Sequence, residues 1–115
     1  MKRWSYITIL SLLICLSCKK DDGLPADIPA CIKQNIEAAK QDTYGISDVT
    51  EYEYQGKIVY ALTPSTLIAD ASTPIYDQTC KQICSVGGFG GPAINQCNGE
   101  NFFQKAIKKR VIWTR

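Results

Sequence analysis

Between Ile28 and Ala39 apolar residues return every three or four positions. Ile28, Cys31, Ile32, Ile36 and Ala39 share one side with Asn35, while Lys33, Glu37, Lys40 and Gln41 fall on the other. That period predicts an amphipathic helix over residues 29–41. Asp27 reads as its cap, Pro29 suits its first turn, and Thr43-Tyr44-Gly45 ends it. From residue 48 the period becomes two. Thr50, Tyr52 and Tyr54 alternate with Glu51, Glu53 and Gln55, and beyond Gly56 the alternation resumes at Ile58, Tyr60 and Leu62. This predicts a β-hairpin over 48–63, with Gly56 in a turn position that needs unusual dihedrals. A lone hairpin is not stable in water, so the tyrosine face must pack on another layer. The 29–41 helix is the nearest candidate.

Later signals are shorter. Residues 64–73 are small and polar around Leu67-Ile68 and read as a loop. Residues 74–77 and 81–86 read as short strands around a turn, 87–92 (GGFGGP) as a glycine-rich loop, 101–109 as a helical turn, and 111–113 as a strand. There is no internal repeat and no low-complexity tract. The fold class expected is α+β: one N-terminal helix packed on a small antiparallel sheet of about four strands, stapled by disulfides.

The first residues follow another pattern. Lys2 and Arg3 precede an uncharged run from Tyr6 to Ser17. Twelve residues are too few to cross a bilayer of ~30 Å as a helix, but they suit the apolar core of a secretory signal. Leu16-Ser17-Cys18 and then Lys19-Lys20-Asp21-Asp22 follow. This stretch resembles a bacterial lipoprotein signal with Cys18 as the lipidated residue. Ser17 fits the position before the cysteine. Leu16 is larger than the usual occupant, and Cys15 stands where leucine is preferred, as in the looser boxes of Bacteroidota. The resemblance implies that residues 1–17 are removed and that Cys18 carries three acyl chains, palmitate among them. Two or more chains anchor a protein firmly. Lys20-Asp21-Asp22 resembles the surface-export signal of that group, and no aspartate directly follows Cys18. The expected location is therefore the outer membrane, with the cell surface as one option. Residues 18–27 would be the lipidated cysteine and a flexible tether, and 28–115 a single domain.

Processing changes the charge. The chain has 115 residues, 13 Lys+Arg, 11 Asp+Glu and no histidine. Losing residues 1–17 takes away Lys2 and Arg3 and no acid, so the remainder is balanced. The pI of about 8.2 belongs largely to the signal and gives no reason to expect a nucleic-acid partner.

Four cysteines remain beyond Cys18: Cys31, Cys80, Cys84 and Cys97. In an exported chain they argue for two disulfides. Spacing prunes the three pairings only weakly. Cys84–Cys97, stapling the glycine loop, and Cys31–Cys80, tying helix to sheet, are favoured over pairing within Cys80–Cys84. Zinc sites use two close pairs and redox sites use CxxC, and the chain has neither, so no metal or cofactor is expected. Without histidine, histidine-based triads and histidine ligands are excluded. Glu51 and Glu53 share one strand face, which reads as a solvated face and not as a catalytic cleft. The GGFGG run lacks the Gly-Lys-Ser/Thr ending of a phosphate loop. Lys105, Lys108, Lys109, Arg110 and Arg115 follow Glu100 with no further acid, interleaved with Phe102, Phe103, Ile107 and Trp113. They read as a face that balances the acidic hairpin, with an anionic surface as the alternative.

Pro29-Ala30-Cys31-Ile32, the segment Glu51–Tyr60 (EYEYQGKIVY), Tyr76-Asp77, Ile83-Cys84, Gly87-Gly88, Cys97 and Val111-Ile112-Trp113 run in an order that resembles a family of small Bacteroidota lipoproteins carrying a domain of unknown function. The resemblance covers about residues 28–114, and the YxYQGKxVY hairpin is its most specific part. Ser65 and Thr66 stand where that family tends to have paired cysteines, the acidic elements of the glycine loop are absent, and Cys80 is extra. The family implies no activity. The function expected is a non-catalytic binding or accessory module; a small envelope enzyme acting on glycans and a purely structural lipoprotein are the alternatives. Expected contact residues for a protein or glycan partner are Tyr44, Glu51, Glu53, Gln55, Gly56 and Phe89, with Phe89 favoured as a core plug over an exposed anchor.

Overall fold

A computed structural model describes residues 23–68, 71–88 and 94–115. Residues 1–17, Cys18 and Phe89 lie outside these. Among the described residues no helix is long and apolar enough to cross a membrane.

Helix α1 spans Ala30–Ala39. Strands β1 (Ile46–Tyr54), β2 (Lys57–Pro64), β3 (Thr73–Asp77) and β4 (Gln82–Val86) follow. A short ribbon, β5 (Gln96–Cys97) and β6 (Glu100–Asn101), leads into the single helical turn α2 (Phe102–Lys105) and the last strand, β7 (Ile107–Thr114). The main sheet is antiparallel, in the order β4-β3-β2-β1-β7. It is an α+β fold with five strands in the sheet.

The sheet carries a core on each face. On one face Ile28, Ile32 and Ile36 pack on Val49, Tyr60, Leu62 and Ile112. On the other, Tyr54, Val59, Ala61, Ile75, Val86, Cys97 and Phe102 form a second cluster. Burial from both sides explains the run Val59-Tyr60-Ala61-Leu62, in which every residue is buried. It also corrects the expected partner of the tyrosine face. The two-residue turn sets Tyr54 opposite Lys57, Tyr52 opposite Val59 and Tyr60 opposite Glu51. Tyr60 therefore faces α1, while Tyr52 and Tyr54 face away from it. Their rings each lie 5.1 Å from Phe102, tilted or edge-on, in the arrangement aromatic pairs prefer.

Three further expectations are corrected. Asp27 does not cap α1; Pro29 holds that position without a side-chain bond. The helical turn expected over 101–109 closes at Lys105, because Ile107, Val111 and Ile112 pair into the sheet, and β-branched residues suit strands. The folded unit also reaches behind residue 28. Leu24 packs against the helix-side core, and Asp27 is ion-paired.

That ion pair belongs to a clamp. Arg110 on β7 sits opposite Glu51 on β1. Its Nη2 donates to Asp27 at 2.9 and 3.0 Å and to Glu51 Oε1 at 3.0 Å, and Nε donates to Glu51 Oε1 at 3.2 Å. Glu51 is 8% exposed. A carboxylate at that depth needs its cation. At the far end of β7, Arg115 Nη2 donates to the carbonyls of Asp42 and Ile46 at 2.8 and 2.7 Å, so the last residue is fastened to the loop after α1.

Two disulfides complete the frame: Cys31–Cys80, with Cα atoms 6.2 Å apart, and Cys84–Cys97, 5.4 Å apart. The first ties α1 to the β3–β4 turn. The second ties the β4 edge to the ribbon.

The loops they close, 49 and 13 residues, set the expected losses. Loop-closure entropy gives about 4 kcal/mol for replacing Cys31 and Cys80 with Ala and about 3 kcal/mol for Cys84 and Cys97, read as shifts in urea midpoint. In the same assay Arg110→Ala should destabilise more than Asp27→Ala, because only the former strands the buried Glu51 carboxylate. Equal losses would contradict the clamp.

Candidate functional site

Three turns converge at one end of the sheet. Gln55 (φ 54°) and Gly56 (φ 76°) join β1 to β2, in the doubly left-handed turn that matches strand twist. Gln78–Lys81 join β3 to β4, with Cys80 at φ 72°. Asn98 (φ 52°) and Gly99 (φ 81°) join β5 to β6. Gln55, Cys80 and Asn98 are the non-glycine residues with positive φ among those described, and each sits on one of these turns. A side chain in that region is disfavoured unless its surroundings hold it there, and such residues cluster at sites of function.

The surroundings are visible in each case. The Gln55 amide donates to Glu100 Oε1 at 3.1 Å. Cys80 is held by its disulfide to α1, and Asp77 Oδ1 accepts from the Thr79 N–H and hydroxyl and from the Lys81 N–H, which ties the turn closed. Asn98 precedes glycine, the pair most favoured for such a turn.

Between the turns lies a cleft of about 300 Å³, lined by Tyr54, Gln55, Lys57, Val59, Asp77, Ile83 and Asn98. Val59, Ile83 and Tyr54 make its apolar floor. Lys57, Asp77 and the two side-chain amides stand around it. Register explains the grouping: Lys57 pairs with Tyr54, and Val59 with Asp77, on the face away from α1.

Tyr54 anchors the floor. It is only 2% exposed, and its hydroxyl lies 2.9 Å from both the Cys97 carbonyl and Glu100 Oε1. Burial, reinforced by its bond to Glu100, pushes its pKa up to about 12. The bonds from Tyr54 and then Gln55 hold Glu100 below its ordinary value, and the Thr79 hydroxyl and Lys81 N–H do the same for Asp77. Both carboxylates are therefore ionised at neutral pH and serve as acceptors. Among the described residues no three His, Cys, Asp or Glu side chains are grouped to hold a metal ion.

Gln55 lines the cleft and Gly56 shapes the turn beside it. Glu51 is committed to Arg110, so its carboxylate is part of the frame and not a solvated strand face. Glu53 is half-buried, with Lys109 3.8 Å away. Tyr44, 64% exposed, stands at the opposite end of β1. The expected contact residues thus do not form one surface. Lys57, Asp77, Ile83 and Asn98 were missed as a group, since only the sheet register brings them together. Asn98-Gly99 carried a hairpin signal of its own.

The titrations have a definite sign. Tyr54 is raised in the fold, so its contribution is complete below the ordinary tyrosine pKa of ~10 and is lost as pH rises towards about 12. Tyr52 and Tyr60, raised mainly by burial, add in the same sense. Asp77 and Glu100 are lowered, so their contribution is present above ~4 and is lost as pH falls through their folded values. Urea midpoints against pH should fall on both flanks, and Tyr54→Phe should flatten the alkaline one. An alkaline flank unchanged in that variant would contradict the assignment.

The family model of a Domain of unknown function (DUF6970) matches residues 34–115. No curated protein and no solved structure matches the chain. The matched span runs from within α1 to the end of β7, and so takes in the whole sheet, all three turns and every residue of the cleft. The chain belongs to the DUF6970 family.

Proposed function

We propose that this protein is an outer-membrane or cell-surface lipoprotein, anchored through acyl chains on Cys18, whose domain is a non-catalytic binding module with its ligand site in the three-turn cleft. The observation that carries the reading is the convergence of three left-handed turns around an apolar floor and a polar rim. Ligand sites combine such a floor with a few fixed polar groups, and about 300 Å³ is at the small end of their range. Two side-chain amides, Lys57 and the ionised Asp77 carboxylate suit a partner rich in hydroxyl and amide groups, such as a short glycan or a polar protein loop. Carboxylates held low accept hydrogen bonds well and make poor proton donors, which favours binding over acid catalysis. The anchor reading rests on the resemblance of Leu16-Ser17-Cys18 to a lipobox.

The site is tested by capture from envelope extracts and by isothermal titration with glycan fragments. Ile83→Trp, which fills the cleft, should abolish binding, while Tyr44→Ala at the other end of β1 should leave it intact. Binding that survives Ile83→Trp places the ligand elsewhere. Cys18→Ala should abolish palmitate labelling and release the protein from membranes; unchanged labelling contradicts the anchor.

A further inference from the structure

We propose that the β7 edge, together with the exposed side of α2, docks on the surface of an anionic lipid bilayer. This rests on the anchoring proposed above. Strand β7 is an edge of the sheet. Lys108 and Lys109 are exposed on it and Lys105 at the end of α2 just before it, and no acid follows Glu100 in the chain. Lys109 lies 3.8 Å from Glu53, and Lys105 and Lys108 make no ion pair among the described residues. Three exposed apolar residues flank these cations along the edge: Phe103 (49%) and Val111 (50%), which with Lys108 lie on the Tyr52 side, and Ile107 (59%), opposite Glu53. Phe103 is held edge-on against Phe102 at 5.3 Å and Tyr52 at 6.3 Å, so its exposure is built into the fold.

Other occupants fit this surface less well. The β1–β7 pairing breaks register twice, and bulges with lysines are the devices that keep a further strand, including one from a second copy, off a sheet edge. An acidic polysaccharide would answer the lysines and leave the phenylalanine and aliphatic residues unmet. A lipid surface answers both, with headgroup charge for the ammonium groups and interfacial hydrocarbon for Phe103, Ile107 and Val111.

The chain's route supports the same side. Cys18 precedes Leu24 by six residues, which span at most ~20 Å. Asp27, three residues further on, is bonded to Arg110 in the middle of β7. The tether therefore enters the fold beside this edge and not beside the opposite edge, β4.

The test uses the chain isolated from its producing membranes, reconstituted in vesicles of neutral phosphatidylcholine or with about one-third phosphatidylglycerol. Lysine acylation rates are read by mass spectrometry. Each lysine near an anionic surface contributes about fivefold to partitioning. The expected result is association with both vesicles and at least a threefold slower labelling of Lys105, Lys108 and Lys109 in the anionic ones alone, reversed by high salt. Lys57 and Lys81, beside the cleft, should be unchanged. Association with only the anionic vesicles, with the same shielding, supports the docking surface and removes the anchor. Association with equal labelling in both vesicles overturns the docking surface and leaves the anchor standing. No association with either overturns both. Equal shielding by a soluble acidic polysaccharide, without vesicles, also overturns the lipid assignment.

Discussion

The Glu51 carboxylate is the constraint around which the rest is arranged. It sits on β1, between β2 and the edge strand β7, on the face covered by α1, where an unpaired charge would be untenable. Arg110 answers it from β7 and at the same time holds Asp27, just before α1. One guanidinium thereby fixes three things: the register of the last strand, the approach of the helix, and the point where the chain enters the fold. Its planar fork suits that task as a lysine would not. The partners differ in depth. The exposed Asp27 bond adds position, whereas the Glu51 bond removes a penalty.

Around this clamp the molecule is a three-layer object built from few residues. Sheet burial on one side comes from a regular helix and on the other from the ribbon, α2 and the disulfide-bonded Cys97. The second layer has little secondary structure to hold it, so specific links take over: the Tyr54 hydroxyl, the Cys84–Cys97 bond and Phe102 between two tyrosine rings. Small domains that cannot grow a larger core are usually stapled in this way.

The parts legible in the sequence are those set by local chemistry. The apolar period over 28–39 marked the helix, and Gln55-Gly56 between alternating runs marked the hairpin. An even cysteine count marked two cross-links, and both favoured pairs are the ones formed. What was obscured depended on distant partners. Tyr52 and Tyr54 resemble Tyr60 in type, but the parity of a two-residue turn sends them to the opposite face. Lys108-Lys109-Arg110 has the composition of a solvated turn and becomes strand because β1 offers an edge and Glu51 a charge. Of the cleft, only Gln55, with Gly56 beside it, could be singled out, since Lys57, Asp77, Ile83 and Asn98 meet through strand order.

The glycine-rich segment is closed off at its base in two ways. Cys84 and Cys97 join covalently, and inside that ring the Gly87 N–H donates to the Ile94 carbonyl at 2.6 Å. A loop pinned at its neck is insulated from the body that carries it. Doubling its length costs only about 0.6 kcal/mol in closure entropy, and the strands need not shift to accommodate a new sequence. The anchors at Cys84–Cys97 and Gly87–Ile94 thus separate the strand register from the sequence that lies between them.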